Sequence, residues 1–171
     1  RPGRQRPGRL QPSDSSATDL VGDATHLGRV VSKVRRETVP MTPLAKILLV
    51  EDEIEILDAI TEYLEREGYA VTRAVDGAEA LRRVDTERPD LVLLDVGLPG
   101  LSGLEVLRRL REDHPRVPVV MLTGLDDEAQ ARRTLQMGAV DYVRKPFDLG
   151  HLSRVVLAAI GRTFDPPPSP G

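Results

Sequence analysis

Cysteine is absent from the 171 residues, and so is tryptophan. The first absence excludes disulfide staples, thiolate zinc sites and cysteine nucleophiles together. Aromatic residues make up only 3% of the chain, which leaves no stacking platform for single-stranded nucleic acid. Charge of one sign is lacking too: 24 basic against 27 acidic residues give a net charge of -3, too little to recruit nucleic acid or an anionic membrane. No apolar run approaches the roughly 20 residues that span a bilayer, and no short apolar core follows the basic start as a secretory signal requires. These absences predict a cytoplasmic protein that contacts neither membrane nor nucleic acid directly. Lysine is scarce, with three among the 24 basic residues, so Lys145 stands out as a compact point charge where the chain otherwise uses Arg.

What is present suffices for one domain: 40% of the residues are hydrophobic, enough to build a core around a sheet. Residues 1–43 are rich in Arg, Gly, Pro, Ser and Thr and poor in large apolar residues, which predicts a disordered basic extension. Met41 is the first methionine, and a start there, which the sequence leaves open, would give 131 residues, close to one compact domain. Residues 164–171 hold four prolines and are expected to form a frayed, disordered tail, with no output module after it. Residues 44–163 remain as the domain.

Within them the hydrophobic period alternates. Ile47–Val50, Ala70–Ala74, Leu91–Leu94, Val117–Leu122 and Val140–Arg144 are short, largely β-branched or leucine-rich runs, expected as strands buried on both faces. Between them, residues recur at helical spacing: Ile54, Leu57, Ile60 and Leu64; Leu81 and Val84; Leu104, Leu107 and Leu110; Ala131 and Leu135; Leu152, Val155, Val156, Ala159 and Ile160. Asp76, Ser102, Asp126 and Asp148 stand where helix N-caps are expected. Strict βα alternation predicts a doubly wound parallel sheet with right-handed crossovers and helices on both faces, a three-layer α/β/α arrangement. In such sheets ligands bind outside the carboxyl ends of the strands.

Four of the strand runs end in reactive side chains: Glu51 and Asp52, Asp95, Thr123, and Lys145. Alone, an acidic doublet such as Glu51–Asp52, here with no basic neighbour in sequence, reads equally as a solvated pair or a helix cap. Asp95 strengthens the functional reading, because the run before it must be buried. Three converging carboxylates stay ionised together only with a cation among them, and an all-oxygen set suits Mg2+, or Mn2+, rather than zinc. The backbone carbonyl of Gly97 offers a further hard oxygen. Lys145 taken singly reads as a surface lysine and Thr123 as a strand-end β-branched residue. With Gly124 beside it, the Thr123 hydroxyl is open to a phosphoryl group, and the Lys145 ammonium is placed to pair with Asp95 at rest.

ILLVEDE, DGAEAL, LVLLDVGLPGLSGLEVL, VVMLTG and GAVDYVRKPF, in this order and spacing, resemble the receiver domain of bacterial two-component response regulators over about residues 44–163. The resemblance implies a flavodoxin-like fold with five strands in the order 2-1-3-4-5 and five helices. It implies Asp95 as phosphoacceptor, Mg2+ on Asp52, Asp95 and the Gly97 carbonyl with Glu51 assisting through water, and Thr123 and Lys145 on the phosphoryl oxygens. Tyr142 matches the family's switch aromatic. The implied partners are a sensor histidine kinase or histidine phosphotransfer protein as donor, and a downstream protein meeting the surface of the fourth helix, fifth strand and fifth helix. Arg132, Arg133, Arg144 and Arg154 fall on or near that surface. The implied state is a monomer or a phosphorylation-dependent dimer, with no enzymatic activity beyond the domain's own phosphorylation and dephosphorylation.

Gly97 and Leu125 lie where the family modulates attack of water on the acyl phosphate, and neither side chain orients water, which predicts slow self-dephosphorylation. A phosphohydrolase of the haloacid dehalogenase type needs an acid at position 97, where this chain has Gly. A nucleotide-binding reading of Gly97, Gly100 and Gly103 fails on spacing and on Pro99. A phosphorylation-independent scaffold on the same fold, or a fragment of a longer DNA-binding regulator, stays open as an alternative. His26, His114 and His151 are expected as surface residues away from the strand carboxyl ends.

Overall fold

The computed structural model describes residues 42–124 and 128–160, which belong to one compact unit. The proposed extension, the tail, Leu125 and the Asp126 cap lie outside the described residues, apart from residues 42 and 43. The elements are β1 (Lys46–Val50), α1 (Ile54–Arg66), β2 (Ala70–Ala74), α2 (Gly77–Glu87), β3 (Leu91–Asp95), α3 (Gly103–Asp113), β4 (Val119–Thr123), α4 (Glu128–Gln136), β5 (Asp141–Arg144) and α5 (Leu149–Ile160). All four strand pairings are parallel and the order is β2-β1-β3-β4-β5, as the resemblance implies.

Side chains alternate across the sheet and divide its core in two. Ile47, Leu49, Leu91, Leu93, Val120, Leu122 and Val143 pack against Leu57, Ile60 and Leu64 of α1 and Leu152, Val156 and Ala159 of α5. Leu48, Val50, Val92, Leu94, Val119 and Met121 face Ala80 and Val84 of α2 and Val106, Leu107 and Leu110 of α3. The expectation that every strand is buried on both faces holds for β3 and β4 but not for β2 and β5. The two exceptions are the sheet edges, and a strand with one neighbour cannot be covered on all sides. The helical stripes also need correction at their ends. Ile54 and Leu135 are exposed, and Leu81 is only partly buried, whereas Ala80, Val106 and Thr134 lie inside. Burial of a small or polar residue such as Ala80 or Thr134 is not marked by apolar periodicity alone.

Three of the predicted caps form. Asp76 accepts the Glu79 N–H at 2.7 Å, and the Glu79 carboxylate accepts the Val75 N–H at 3.1 Å, a reciprocal arrangement. Ser102 accepts the Glu105 N–H at 3.3 Å and Asp148 the His151 N–H at 2.7 Å. The start of α3 carries a tighter constraint: the Gly103 N–H donates to Val96 O at 3.1 Å, and a Cβ on Gly103 would lie 2.1 Å from the carbonyl oxygen of Asp95. Gly103 therefore lets α3 begin against the backbone of the residue that ends β3. Among the described residues no helix is long and apolar enough to cross a membrane.

Candidate functional site

Sheet register decides which reactive residues meet. Val50 pairs with Leu94, Leu94 with Met121, and Met121 with Tyr142. One residue further along each strand stand Glu51 and Asp95, level with each other and on the α1–α5 side of the sheet. Lys145 follows β5 and returns to that side: its Nζ lies 2.6 Å from Glu51 Oε2, 3.3 Å from Asp95 Oδ1 and 4.0 Å from Glu53 Oε1. The Lys145–Pro146 peptide is cis. Thr123 pairs with Arg144 in register, two residues beyond Met121 and Tyr142, so Thr123 and Tyr142 share the opposite face.

Lys145 does meet Asp95, yet its shorter contact is to Glu51. The acidic doublet thus has a basic neighbour after all, one that lies 94 positions away and is visible only once the sheet closes. Glu51 is fully buried and Asp95 nearly so, while Asp52 is exposed. Among the described residues no donor but the Lys145 ammonium reaches Glu51 Oε2, and that ion pair balances the oxygen; Oε1 accepts the Glu53 N–H at 3.2 Å. Burial pushes the Glu51 carboxyl above its ordinary range; the neighbouring Asp95 charge adds to this, and Lys145 and the Glu53 N–H offset it in part. For Lys145, burial pulls the other way, but hydrogen bonding to Glu51 and the charges of Asp95 and Glu51 outweigh it and hold the ammonium above its usual value.

Ligand oxygens of Glu51, Asp52 and Asp95 all lie within 4.8 Å of one another. Three carboxylates against one ammonium leave two uncompensated negative charges, and hard oxygen donors with that deficit fit a divalent cation of the magnesium type. Gly97 stands beside them: a Cβ there would lie 3.6 Å from Asp95 Oδ2. Thr123 supplies a second sign of an absent ligand. Its Oγ1 is buried with no hydrogen-bond partner among the described residues, an arrangement that costs free energy unless a ligand oxygen satisfies the hydroxyl. A Cβ on the following Gly124 would meet nothing within 4 Å among the described residues. Tyr142 is partly buried against the α2–α3 core, and the Arg144 guanidinium lies over its ring at 5.8 Å.

The family model of the response regulator receiver domain matches residues 47–157. The chain belongs to that family. This receiver is 44% identical over 124 residues to the alkaline phosphatase synthesis transcriptional regulatory protein PhoP of Bacillus subtilis (strain 168), an alignment covering 72% of the chain and 52% of the relative. It therefore spans about half the length of that curated relative. Among solved structures, the receiver domain of NtrX from Brucella abortus is similar at 36% identity and a TM-score of 0.65, covering 67% of this chain and 97% of that one. A putative response regulator from Chloroflexus aurantiacus J-10-fl is similar at 32% identity and a TM-score of 0.68, covering 71% and 100%.

Two contributors to the receiver's site escaped the sequence reading. Glu53 follows the doublet but its carboxylate turns back toward Lys145, and nothing in the order Glu-Asp-Glu signals that. Gly103 belongs in sequence to a glycine pattern without function, and in the fold it lets α3 touch the Asp95 backbone. Among the histidines, His114 pairs with Asp85 at 2.8 Å between α3 and α2, away from the site. His151 lines a groove with Tyr142, Arg144 and Phe147, closer to β5 than its position at the start of α5 suggested.

Proposed function

We propose that residues 44–163 act as a phosphorylation switch in a phosphorelay, with Asp95 as the phosphoacceptor. The observation that carries this reading is a buried carboxylate with an ammonium 3.3 Å from it and, at the end of the adjacent strand, a buried hydroxyl without a partner among the described residues. A carboxylate oxygen of Asp95 attacks phosphorus, the P–N bond to a phosphohistidine of a sensor kinase or phosphotransfer protein breaks, and its electron pair returns to the imidazole. The site contributes alignment and charge neutralisation more than bond chemistry of its own. Asp52, Asp95, Glu51 and the Gly97 carbonyl would hold Mg2+ or Mn2+, which supplies neutralisation of phosphoryl oxygens when bound.

Lys145 leaves its resting partners to pair with one phosphoryl oxygen, and the Thr123 hydroxyl donates to another. An acyl phosphate adds about -1.5 to -2 charge at the end of β3, by analogy with other phosphorylated side chains. Thr123 moves toward it, and Tyr142, on the same face of the sheet, turns into the vacated space. That changes the surface of α4, β5 and α5, which a downstream protein reads, either as a monomer or through a phosphorylation-dependent dimer. The domain works in the cytoplasm, binds no nucleic acid itself and turns over no other substrate. A second reading rests on the length relation: matching about half of a transcriptional regulatory protein favours a receiver that serves a longer DNA-binding regulator.

The test is intact-mass measurement after incubation with Mg2+ and acetyl phosphate. One added phosphoryl mass, absent in Asp95→Asn and in EDTA, is the expected result. No addition to the parent, from acetyl phosphate or from a phosphohistidine protein, would leave the scaffold alternative.

A further inference from the structure

Glu53 takes no part in the converging set of carboxylate oxygens, which comprises Glu51, Asp52 and Asp95. Its side chain is 65% exposed at the mouth of the site, yet its Oε1 lies 4.0 Å from Lys145 Nζ, and its own N–H holds Glu51. In formal charges at neutral pH the site therefore presents four carboxylates to one ammonium. A divalent cation held by the inner three, together with the Lys145 ammonium, compensates those three, and the charge on Glu53 remains at the entrance, directed at the group that must receive the incoming phosphoryl oxygens.

We infer that Glu53 is a specificity-determining residue for the phosphodonor: it disfavours small, highly charged donors relative to less charged ones. The inference rests on the Asp95 reading above. With acetyl phosphate, a dianion, Asp95 attacks phosphorus, the P–O bond breaks and acetate leaves with the electron pair. With phosphoramidate, a monoanion, the P–N bond breaks and ammonia leaves. The chemistry at Asp95 is the same and the donor's charge differs by one. A unit charge acting across several ångströms of exposed, high-dielectric medium changes encounter with an anion by roughly 3-fold per unit of donor charge. Glu53 also holds Lys145 from the solvent side, and its removal frees the ammonium for either donor equally, so the ratio between donors isolates the charge effect.

The experiment compares the full chain with its Glu53→Gln and Glu53→Lys variants, measuring phosphorylation rates from both donors at saturating Mg2+ by mass spectrometry. Glu53→Gln is expected to raise the acetyl phosphate rate about 10-fold and the phosphoramidate rate about 3-fold, so their ratio rises about 3-fold. Glu53→Lys is expected to raise the ratio further, and about 0.5 M KCl to shrink both effects. Titration with inorganic phosphate, followed by amide shifts near Thr123 and Lys145, is expected to show tighter binding to Glu53→Gln without any transfer step. An unchanged donor ratio in variants whose parent is phosphorylated would overturn the inference and leave the Asp95 reading intact. Failure of the parent with both donors and with a phosphohistidine protein, together with unchanged phosphate binding, would overturn both.

Discussion

Replacing Gly103 by Ala tests how closely the fold and the site are joined. The added Cβ would lie 2.1 Å from the Asp95 carbonyl oxygen and 2.8 Å from Val96 Cα, where ordinary contacts begin at 3.4 Å. Both neighbours are backbone, so no flexible side chain can yield, and α3 must retreat from β3 by more than 1 Å. Overpacking of this kind costs about 1–3 kcal/mol. The Gly103 N–H to Val96 O bond, now 3.1 Å, is lost in the same movement and adds about 1 kcal/mol. The expected loss is about 3 kcal/mol, a large share of the roughly 5–15 kcal/mol that a domain possesses, and urea unfolding should show the midpoint falling by about 2 M. Two glycines serve as controls. Gly100 has φ +70 with nothing within 4 Å of its Cβ position, so Gly100→Ala should cost only about 1 kcal/mol of backbone strain. Gly124→Ala, with open space and no positive φ, should be nearly neutral. Because the clash falls on the backbone of Asp95 itself, Gly103→Ala should also slow phosphorylation on the order of 10-fold or more at temperatures where it remains folded. A Gly103→Ala protein within about 0.5 kcal/mol of the parent would refute the account of this turn.

Other outcomes follow from the same geometry. Thr123→Val removes a buried hydroxyl that has no partner among the described residues, so the ligand-free protein should gain about 1 kcal/mol in urea unfolding, while phosphoryl transfer to Asp95 slows; a loss of stability would mean that the hydroxyl has a partner after all. Asp52 is exposed, so Asp52→Ala should leave metal-free stability nearly unchanged, but should abolish the roughly 2.7 kcal/mol that Mg2+ at 100 times its Kd adds to the parent, measured by thermal unfolding with and without EDTA. Glu105 is held down to about 2 from an ordinary 4.5 by hydrogen bonds from Arg108 and then Arg109. A depressed folded-state value means that its contribution is present above about pH 4.5 and is lost as pH falls toward 2, so Glu105→Gln should flatten the acid limb of the stability profile in that window and nowhere else.

Much of this was legible in the chain itself. The strand runs, the caps at Asp76, Ser102 and Asp148, and the placement of Glu51, Asp52, Asp95, Thr123 and Lys145 at strand ends follow from local rules: side-chain period, capping chemistry and turn residues. The sequence by itself therefore determined the alternation of strands and helices and which end of the sheet carries the reactive groups. It did not determine who pairs with whom. Lys145 nearer Glu51 than Asp95, the return of Glu53 toward that ammonium, the Thr123 hydroxyl left without a partner among the described residues and the contact of Gly103 with the Asp95 backbone are all decided by sheet register and by how α3 and α1 seat on it. The half-exposed edges β2 and β5, and the outward-facing Ile54 and Leu135, were likewise set by neighbours remote in sequence. Local propensity acts over a few residues, whereas burial, ion pairing and close backbone contact depend on distances between segments dozens of positions apart, and those distances exist only in the closed tertiary structure.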